Sequence, residues 1–171
     1  MPRIKQSQPA IGSYPYGSST ISKSGCGICA FAMVNSALNG GVYSPTEIVD
    51  TMDSIAKSKG QNYTYYYVPG AGSIGGVIFP ELCKYYGLQC NTSMGLSESA
   101  IISELDKDRI VVISISSNGH SIYTGSGHFV VIRGHVGNKF YVNDSASCYD
   151  ENTLYSLSQI GYVKNARSIW K

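Results

Sequence analysis

The chain has 171 residues, 43% of them hydrophobic and 14% charged, with a formal net charge of +2. That apolar content is enough for a real core and excludes disorder, which needs high charge and low hydrophobicity. The small, scattered charge excess excludes an electrostatic nucleic-acid binder.

In chain order, the stretch to Ser24 reads as extended and turn-rich, with Pro2, Pro9, Pro15 and the run Tyr14-Pro15-Tyr16-Gly17. A first helix starts near Cys26. Ala30, Met33, Val34, Ala37 and Leu38 mark one helical face, and Gly40-Gly41 ends it. A second starts at Ser44-Pro45-Thr46-Glu47, where Ser caps, Pro takes the first turn and Glu47 completes a capping box. It runs to about Ser58. Residues 59–77 read as a long loop carrying Tyr63, Tyr65, Tyr66 and Tyr67. These tyrosines form either a solvent-facing strand edge or an aromatic wall for a peptide or glycan. A third helix covers roughly Gly76 to Tyr86 and stops at Gly87, and a fourth runs from about Glu98 to Leu105.

The character then changes. Ile110 to Ser116 is a β-branched run, as a buried strand would be, and a Gly/Ser-rich loop follows from Ser117 to Gly127. His128 to Arg133 and Lys139 to Asn143 look like a hairpin. A short helix near Thr153 to Gln159 and a last strand near Ala166 to Trp170 close the chain. Helices first and an antiparallel sheet after them define an α+β fold, here one domain over 1–171.

No apolar stretch approaches the roughly 20 residues of a membrane span, the longest being Ile110 to Ile115. The polar start, Met1 to Pro9, has no signal-peptide pattern, so the expected location is cytoplasmic as synthesised, with release by another route to act on a cell wall as an option. Five cysteines, an odd number, exclude a complete internal disulfide framework.

Cys26 lies in Ser24-Gly25-Cys26-Gly27, where the first helix begins. A helix N-terminus stabilises a thiolate, and flanking glycines let a substrate backbone approach the sulfur. A cysteine nucleophile also needs a base, usually His, and a third group to orient it. His128 opens a strand after a flexible loop, and Asp144 ends the next strand. A hairpin register setting His128 opposite Asp144 also sets Val130 against Val142 and Ile132 against Phe140. It makes one apolar face and one more polar face, with Phe129, Val131 and Arg133 on the latter. The turn is then a three-residue loop ending in Gly137. The rival two-residue Gly137-Asn138 turn would pair Val131 with Asp144 and scramble the faces.

These residues resemble the bacteriocin-processing-like, or double-glycine-peptidase-like, cysteine peptidases of the papain superfamily. The matching pieces are Tyr16-Gly17, Thr20-Ile21, Ser24-Gly25-Cys26-Gly27, Ala32-Met33-Val34, Gly127-His128-Phe129-Val130-Val131 and Tyr141-Val142-Asn143-Asp144, in the right order. The resemblance implies a papain-like fold with Cys26 as nucleophile, His128 as base and Asp144 as orienter. Papain-like enzymes usually place a Gln about six residues before the nucleophile, where it helps hold the oxyanion. Here Thr20 stands there, so the expected oxyanion donors are the Cys26 backbone N–H and Thr20. Ile28 occupies a position where the family commonly has Pro.

Other readings compete. Cys26-Gly27-Ile28-Cys29 is also a C-x-x-C at a helix start, as in thiol–disulfide redox proteins. Cys26, Cys29, Cys83 and Cys90 could be set around zinc, though the second pair is too widely spaced. Cys29, Cys83, Cys90 and Cys148 otherwise read as core or loop thiols. His120 is an alternative base, and Asp150 and Asn143 are weaker substitutes for Asp144. His135 reads as a turn residue. The expected reaction is hydrolysis of a peptide bond without metal or cofactor, by a monomer. The expected substrate is peptidoglycan peptide, since a small, mildly basic, Tyr-rich domain without transporter segments suits a lysin acting on anionic walls. An effector-type or leader-processing protease, a redox protein and a non-catalytic binding module remain alternatives.

Overall fold

Ten consecutive residues, Gly27 to Ser36, are buried on every side of one helix, and the rest of the fold is arranged around it. The structure is a computed structural model that describes residues 1–68, 77–116, 121–123, 125 and 127–171. A short helix α1 (Pro9–Gly12) precedes a small hairpin of β1 (Pro15–Tyr16) and β2 (Ser19–Thr20), which leads into α2 (Ile21–Ser24). The buried helix is α3 (Cys26–Asn39), which starts at Cys26 as its sequence predicts and ends on left-handed Gly40. Its two-sided burial exceeds the single apolar face marked out by the sequence, because small residues such as Gly27, Ala30 and Ala32 let neighbours approach all round.

Helix α4 (Pro45–Ser58) begins with the expected capping box. Ser44 N–H donates to Glu47 at 2.7 Å, and the Ser44 hydroxyl accepts from the first-turn backbone. A 3-10 turn follows at Tyr63–Tyr65, and then α5 (Ile78–Tyr85), β3 (Gln89–Asn91) and α6 (Glu98–Leu105). The remaining elements are β4 (Ile110–Ser116), β5 (His128–Val136), β6 (Lys139–Asp144), β7 (Leu154–Ser156), α7 (Leu157–Ile160) and β8 (Tyr162–Trp170). The expected helix from Thr153 is thus part strand: Leu154 to Ser156 pair with β6, and the Ser156–Gln159 capping box starts α7 only after them.

Among the described residues the main sheet has the antiparallel order β3-β8-β4-β5-β6-β7. Both of its faces are covered. Val112, Phe129, Val131 and Ile169 pack against α3, α4 and α5, while Val111, Ile113, Val130, Ile132 and Val142 pack against α6, α7 and Tyr149. The face carrying Phe129 and Val131 is therefore core, not the polar side. No described helix is long and apolar enough to cross a membrane.

The β5–β6 register corrects the expected one. Val136 pairs with Lys139 around the two-residue Gly137-Asn138 turn, and Gly137 takes φ +57° at its first position. A bulge between Ile132 and Gly134 then adds one residue to β5, so Val130 pairs with Asp144 and Ile132 with Val142. The bulge restores the apolar pairing that the short turn alone would have scrambled. His128 itself pairs with Ile115 on β4.

The tyrosines after α4 are not a strand edge: Tyr63 to Tyr65 form the 3-10 turn, with Tyr63 exposed, and the other two belong to the core. Tyr66 and Tyr67 are buried and pack on Tyr16, the first stacked at 6.1 Å and the second edge-on at 5.0 Å. Gly17 lies directly above Tyr67 with φ +57°, and a Cβ there would sit 2.2 Å from the Tyr67 ring. Gly17→Ala is expected to cost about 2 kcal/mol or more, combining left-handed strain with overpacking. Urea unfolding checks this, and an unchanged midpoint would contradict it.

Candidate active site

Cys26 opens α3, where the first N–H groups have no intrahelical acceptors. It is half-buried and carries a free thiol. Gly25 before it is required by the α2–α3 junction. A Cβ at Gly25 would stand 2.6 Å from the Ile21 carbonyl oxygen, and the Gly25 N–H donates to that same oxygen at 2.7 Å. The tight junction fixes the direction in which α3, and hence Cys26, leaves α2.

His128 is the first residue of β5 and is 4% exposed, and Asp144 is the last residue of β6 and fully buried. Asp144 pairs with Val130, so His128 is its diagonal neighbour, within reach of a long side chain. The His128 Nε2 lies 2.5 Å from Asp144 Oδ1. The other ring nitrogen, Nδ1, is left for Cys26, which stands close enough for its charge to raise the imidazole. The structure thus brings Cys26, His128 and Asp144 together.

The carboxylate is held by more than the imidazole. Ala146 N–H donates to Oδ1 at 2.9 Å, and Cys148 and Tyr149 N–H groups donate to Oδ2, the latter at 3.3 Å. Ser147, with φ +65°, turns the chain so that these amides converge. Burial raises the Asp144 carboxyl, but the bonds from His128, Ala146 and Cys148 outweigh it and hold the group below the ordinary carboxylate range. Burial likewise lowers the His128 imidazole, but the hydrogen bond to Asp144 and the nearby Cys26 outweigh that and raise it to about 9.

These shifts set a pH window for stability. A raised His contributes fully below its unfolded value of 6.5 and loses the contribution as pH rises through about 9. A lowered Asp contributes above its unfolded value of 3.8 and loses it as pH falls through its lower folded value. Unfolding free energy is expected to fall by on the order of 3 kcal/mol between pH 6.5 and the alkaline side of 9 in the wild type. His128→Gln should lack this part of the slope in urea titrations run across that range. An identical slope in the two proteins would contradict the ion pair.

The substitutes for Asp144 point elsewhere. Asn143 Oδ1 accepts from Arg133 Nε at 3.0 Å, and Asp150 Oδ1 accepts from the Asn152 N–H at 2.7 Å. His135 bridges the Gly137 carbonyl at 2.8 Å and Asp106 at 3.0 Å, far along the hairpin. His120 lies outside the described residues. Thr20 is half-buried, precedes α2 in extended conformation and makes no capping hydrogen bond, while the neighbouring Ser19 hydroxyl accepts from Ser24 at 3.2 Å. Cys29 is fully buried, and burial together with the nearby Cys26 pushes its thiol well up, away from the thiolate a redox partner would need. Among the described residues no group of three His, Cys, Asp or Glu side chains could hold a metal.

Two contributors were not assigned a role from sequence. The Tyr123 ring stacks on His128 at 4.6 Å and 26°, with its hydroxyl donating to the Gly127 carbonyl at 2.9 Å. It covers one face of the imidazole. Gln6, remote in sequence, donates from Nε2 to the Ser22 carbonyl at 2.8 Å and accepts from the Ser145 hydroxyl at 2.8 Å. It ties the helix before Cys26 to the segment after Asp144. Gln6 acts through partners distant in the chain, and Tyr123 acts through a loop conformation that no periodic pattern encodes.

A helix-borne thiol near a strand-borne His–Asp pair across a helix–sheet interface is a papain-type arrangement. The chain matches the Peptidase_C39 like family over residues 1–170 and belongs to that family of papain-superfamily cysteine peptidases. A Bacillus anthracis crystal structure described as that of a C39-like peptidase is similar in fold, with a TM-score of 0.56 at 15% identity, covering 99% of this chain and 94% of that one. No curated protein sequence matches the chain. The protein is a cysteine peptidase with an α+β fold.

Proposed function

We propose that residues 1–171 form one catalytic domain that cleaves a peptide bond with Cys26 as nucleophile, His128 as base and Asp144 as the group that orients it. The observation that carries this reading is the buried His128 hydrogen-bonded through Nε2 to Asp144, with Cys26 near enough for its charge to act on the imidazole. Cys26 and His128 share one proton as a thiolate–imidazolium pair, with that proton on Nδ1, and the sulfur attacks the scissile carbonyl carbon. The Cys26 backbone N–H and the Thr20 hydroxyl receive the oxyanion. As the tetrahedral intermediate collapses, His128 protonates the leaving amine. It then takes a proton from the water that hydrolyses the thioester. Asp144 holds Nε2 throughout, so the imidazole presents Nδ1 in both steps.

The substrate we propose is a peptide of bacterial peptidoglycan, attacked by a monomer. The net charge of +2 supports attraction to anionic wall polymers. The tyrosines lend this less support than their number suggests, since Tyr16, Tyr66, Tyr67 and Tyr149 are core residues. The test is incubation of the purified protein with isolated walls, with cross-linked stem peptides and with an unfolded protein substrate, reading new amino groups. Release from walls and stem peptides alone is expected. Cleavage of the unfolded protein with intact walls would move the assignment to a protein-directed protease.

A further inference from the structure

Arg167 is a guanidinium with 1% exposure, and its Nε and Nη1 have no hydrogen-bond partner. Its Nη2 donates to Asn165 at 2.6 Å, and its charge rests on the rings of Phe79 at 4.3 Å and Phe129 at 5.5 Å. No carboxylate among the described residues pairs with it. A buried cation without a counter-ion is costly, and aromatic faces offset only part of that cost. The ionisable groups whose charges act on Arg167 are two thiols, Cys90 and Cys83.

The topology explains their proximity. Cys90 is the middle residue of β3 and pairs with Ile169 of β8, two residues from Arg167 on the same face of the sheet. Cys83 lies in the last turn of α5, against that face, and the two side chains are near enough for their charges to act on one another. Both thiols line a cleft of about 360 Å³ with Pro80, Lys84, Gly87 and Gln89. Cys83 is buried, whereas Cys90 is half-buried and reachable from the cleft.

We propose that Cys90 and Cys83 form a second reactive site, separate from Cys26, at which a small peroxide is reduced and a reversible Cys83–Cys90 disulfide forms. The Cys90 thiolate, paired with Arg167, attacks one oxygen of hydrogen peroxide. An S–O bond forms, the O–O bond breaks, and the departing hydroxide takes a proton and leaves as water. Cys90 is oxidised by two electrons to a sulfenic acid. Cys83 then loses its proton and attacks the Cys90 sulfur. The S–S bond forms, the S–O bond breaks, and hydroxide with that proton leaves as a second water. The two residues border the same cleft, on the facing elements α5 and β3. The order of roles agrees with the electrostatics. The neighbouring Cys83 and the charge of Arg167 hold the Cys90 thiol below its usual range against the effect of burial, while Cys90 and burial push Cys83 up.

The test treats the whole protein with stoichiometric hydrogen peroxide, blocks remaining thiols with N-ethylmaleimide and maps the peptides by mass spectrometry. A Cys83–Cys90 linked peptide that disappears on reduction, with Cys29 and Cys148 still blocked as thiols, is expected. In Cys83→Ser, Cys90 should persist as a sulfenic acid trapped by dimedone, and Cys90→Ser should leave Cys83 unoxidised. Arg167→Met should slow Cys90 oxidation about tenfold or more. Because Arg167 is buried, that comparison uses only protein with a native circular dichroism spectrum, and the two serine variants decide the proposal if it does not fold. Cys83 and Cys90 both recovered as thiols while Cys26 is oxidised would overturn the proposal, as would dimedone trapping on Cys83 in place of Cys90.

Discussion

Cys26→Ala is expected to lower kcat/KM by about four orders of magnitude or more while leaving the fold in place. Covalent catalysis has no substitute in this site. The next thiol along the helix, Cys29, is fully buried and held in its neutral form, and Cys148 is an exposed loop residue whose backbone, not its sulfur, serves Asp144. The structural cost is small because Cys26 is half-buried at a helix start, where alanine is well tolerated. Peptide cleavage assayed beside circular dichroism separates the two effects. More than about 1% residual activity in a well-folded variant would contradict Cys26 as nucleophile.

The second large effect is expected at Asp144. Asp144→Asn should lower kcat by about a hundred- to ten-thousandfold, with KM changing far less. The physical reason is the inventory around the carboxylate. It accepts from His128 Nε2 and from the N–H groups of Ala146, Cys148 and Tyr149, all of which are donors. An amide brings two donors of its own, so its NH₂ end must oppose either the imidazole together with the Ala146 N–H or the Cys148 and Tyr149 N–H groups. If it opposes the imidazole, His128 is pushed into the tautomer that presents no acceptor to Cys26. If it opposes the loop, buried N–H groups lose their acceptor at about 1–3 kcal/mol each. Kinetics and urea unfolding measured together show which side yields. Activity within tenfold of wild type would contradict the orienting role.

The elements with strong local chemistry were legible in the sequence. Ser44, Pro45 and Glu47 fix the start of α4 through contacts within one turn, and Ile110 to Ser116 is a strand dominated by β-branched apolar residues. The start of α3 at Cys26 follows from the glycine before it and the run of small and apolar residues after it. What was not legible depends on partners far along the chain. Strand β3 is three residues long and exists because β8 pairs with it. Helices α1 and α2, four residues each, are too short for a periodic pattern. The hairpin register depends on a bulge beside Arg133 that no turn rule encodes, and it compensates for the two-residue turn that the face argument disfavoured. The candidate triad residues are those named from sequence, but the route is different, since His128 reaches Asp144 diagonally and not from the opposite position. Tyr123 and Gln6 acquire their roles only once the chain has folded around them.

The central claim, that His128 activates the Cys26 sulfur, is tested most directly by the rate of iodoacetamide alkylation of each cysteine in the native protein at neutral pH, mapped by mass spectrometry in wild type and in His128→Ala. Accessibility alone favours Cys148, which is exposed, over Cys26, which is half-buried. Chemistry favours the reverse, because burial and the nearby Asp144 carboxylate raise the Cys148 thiol while an imidazole stands near Cys26. Cys26 is expected to react about tenfold faster than Cys148 in the wild type and to lose most of that advantage in His128→Ala. Cys148 reacting faster than Cys26, with no change at Cys26 on removing the imidazole, would contradict the account.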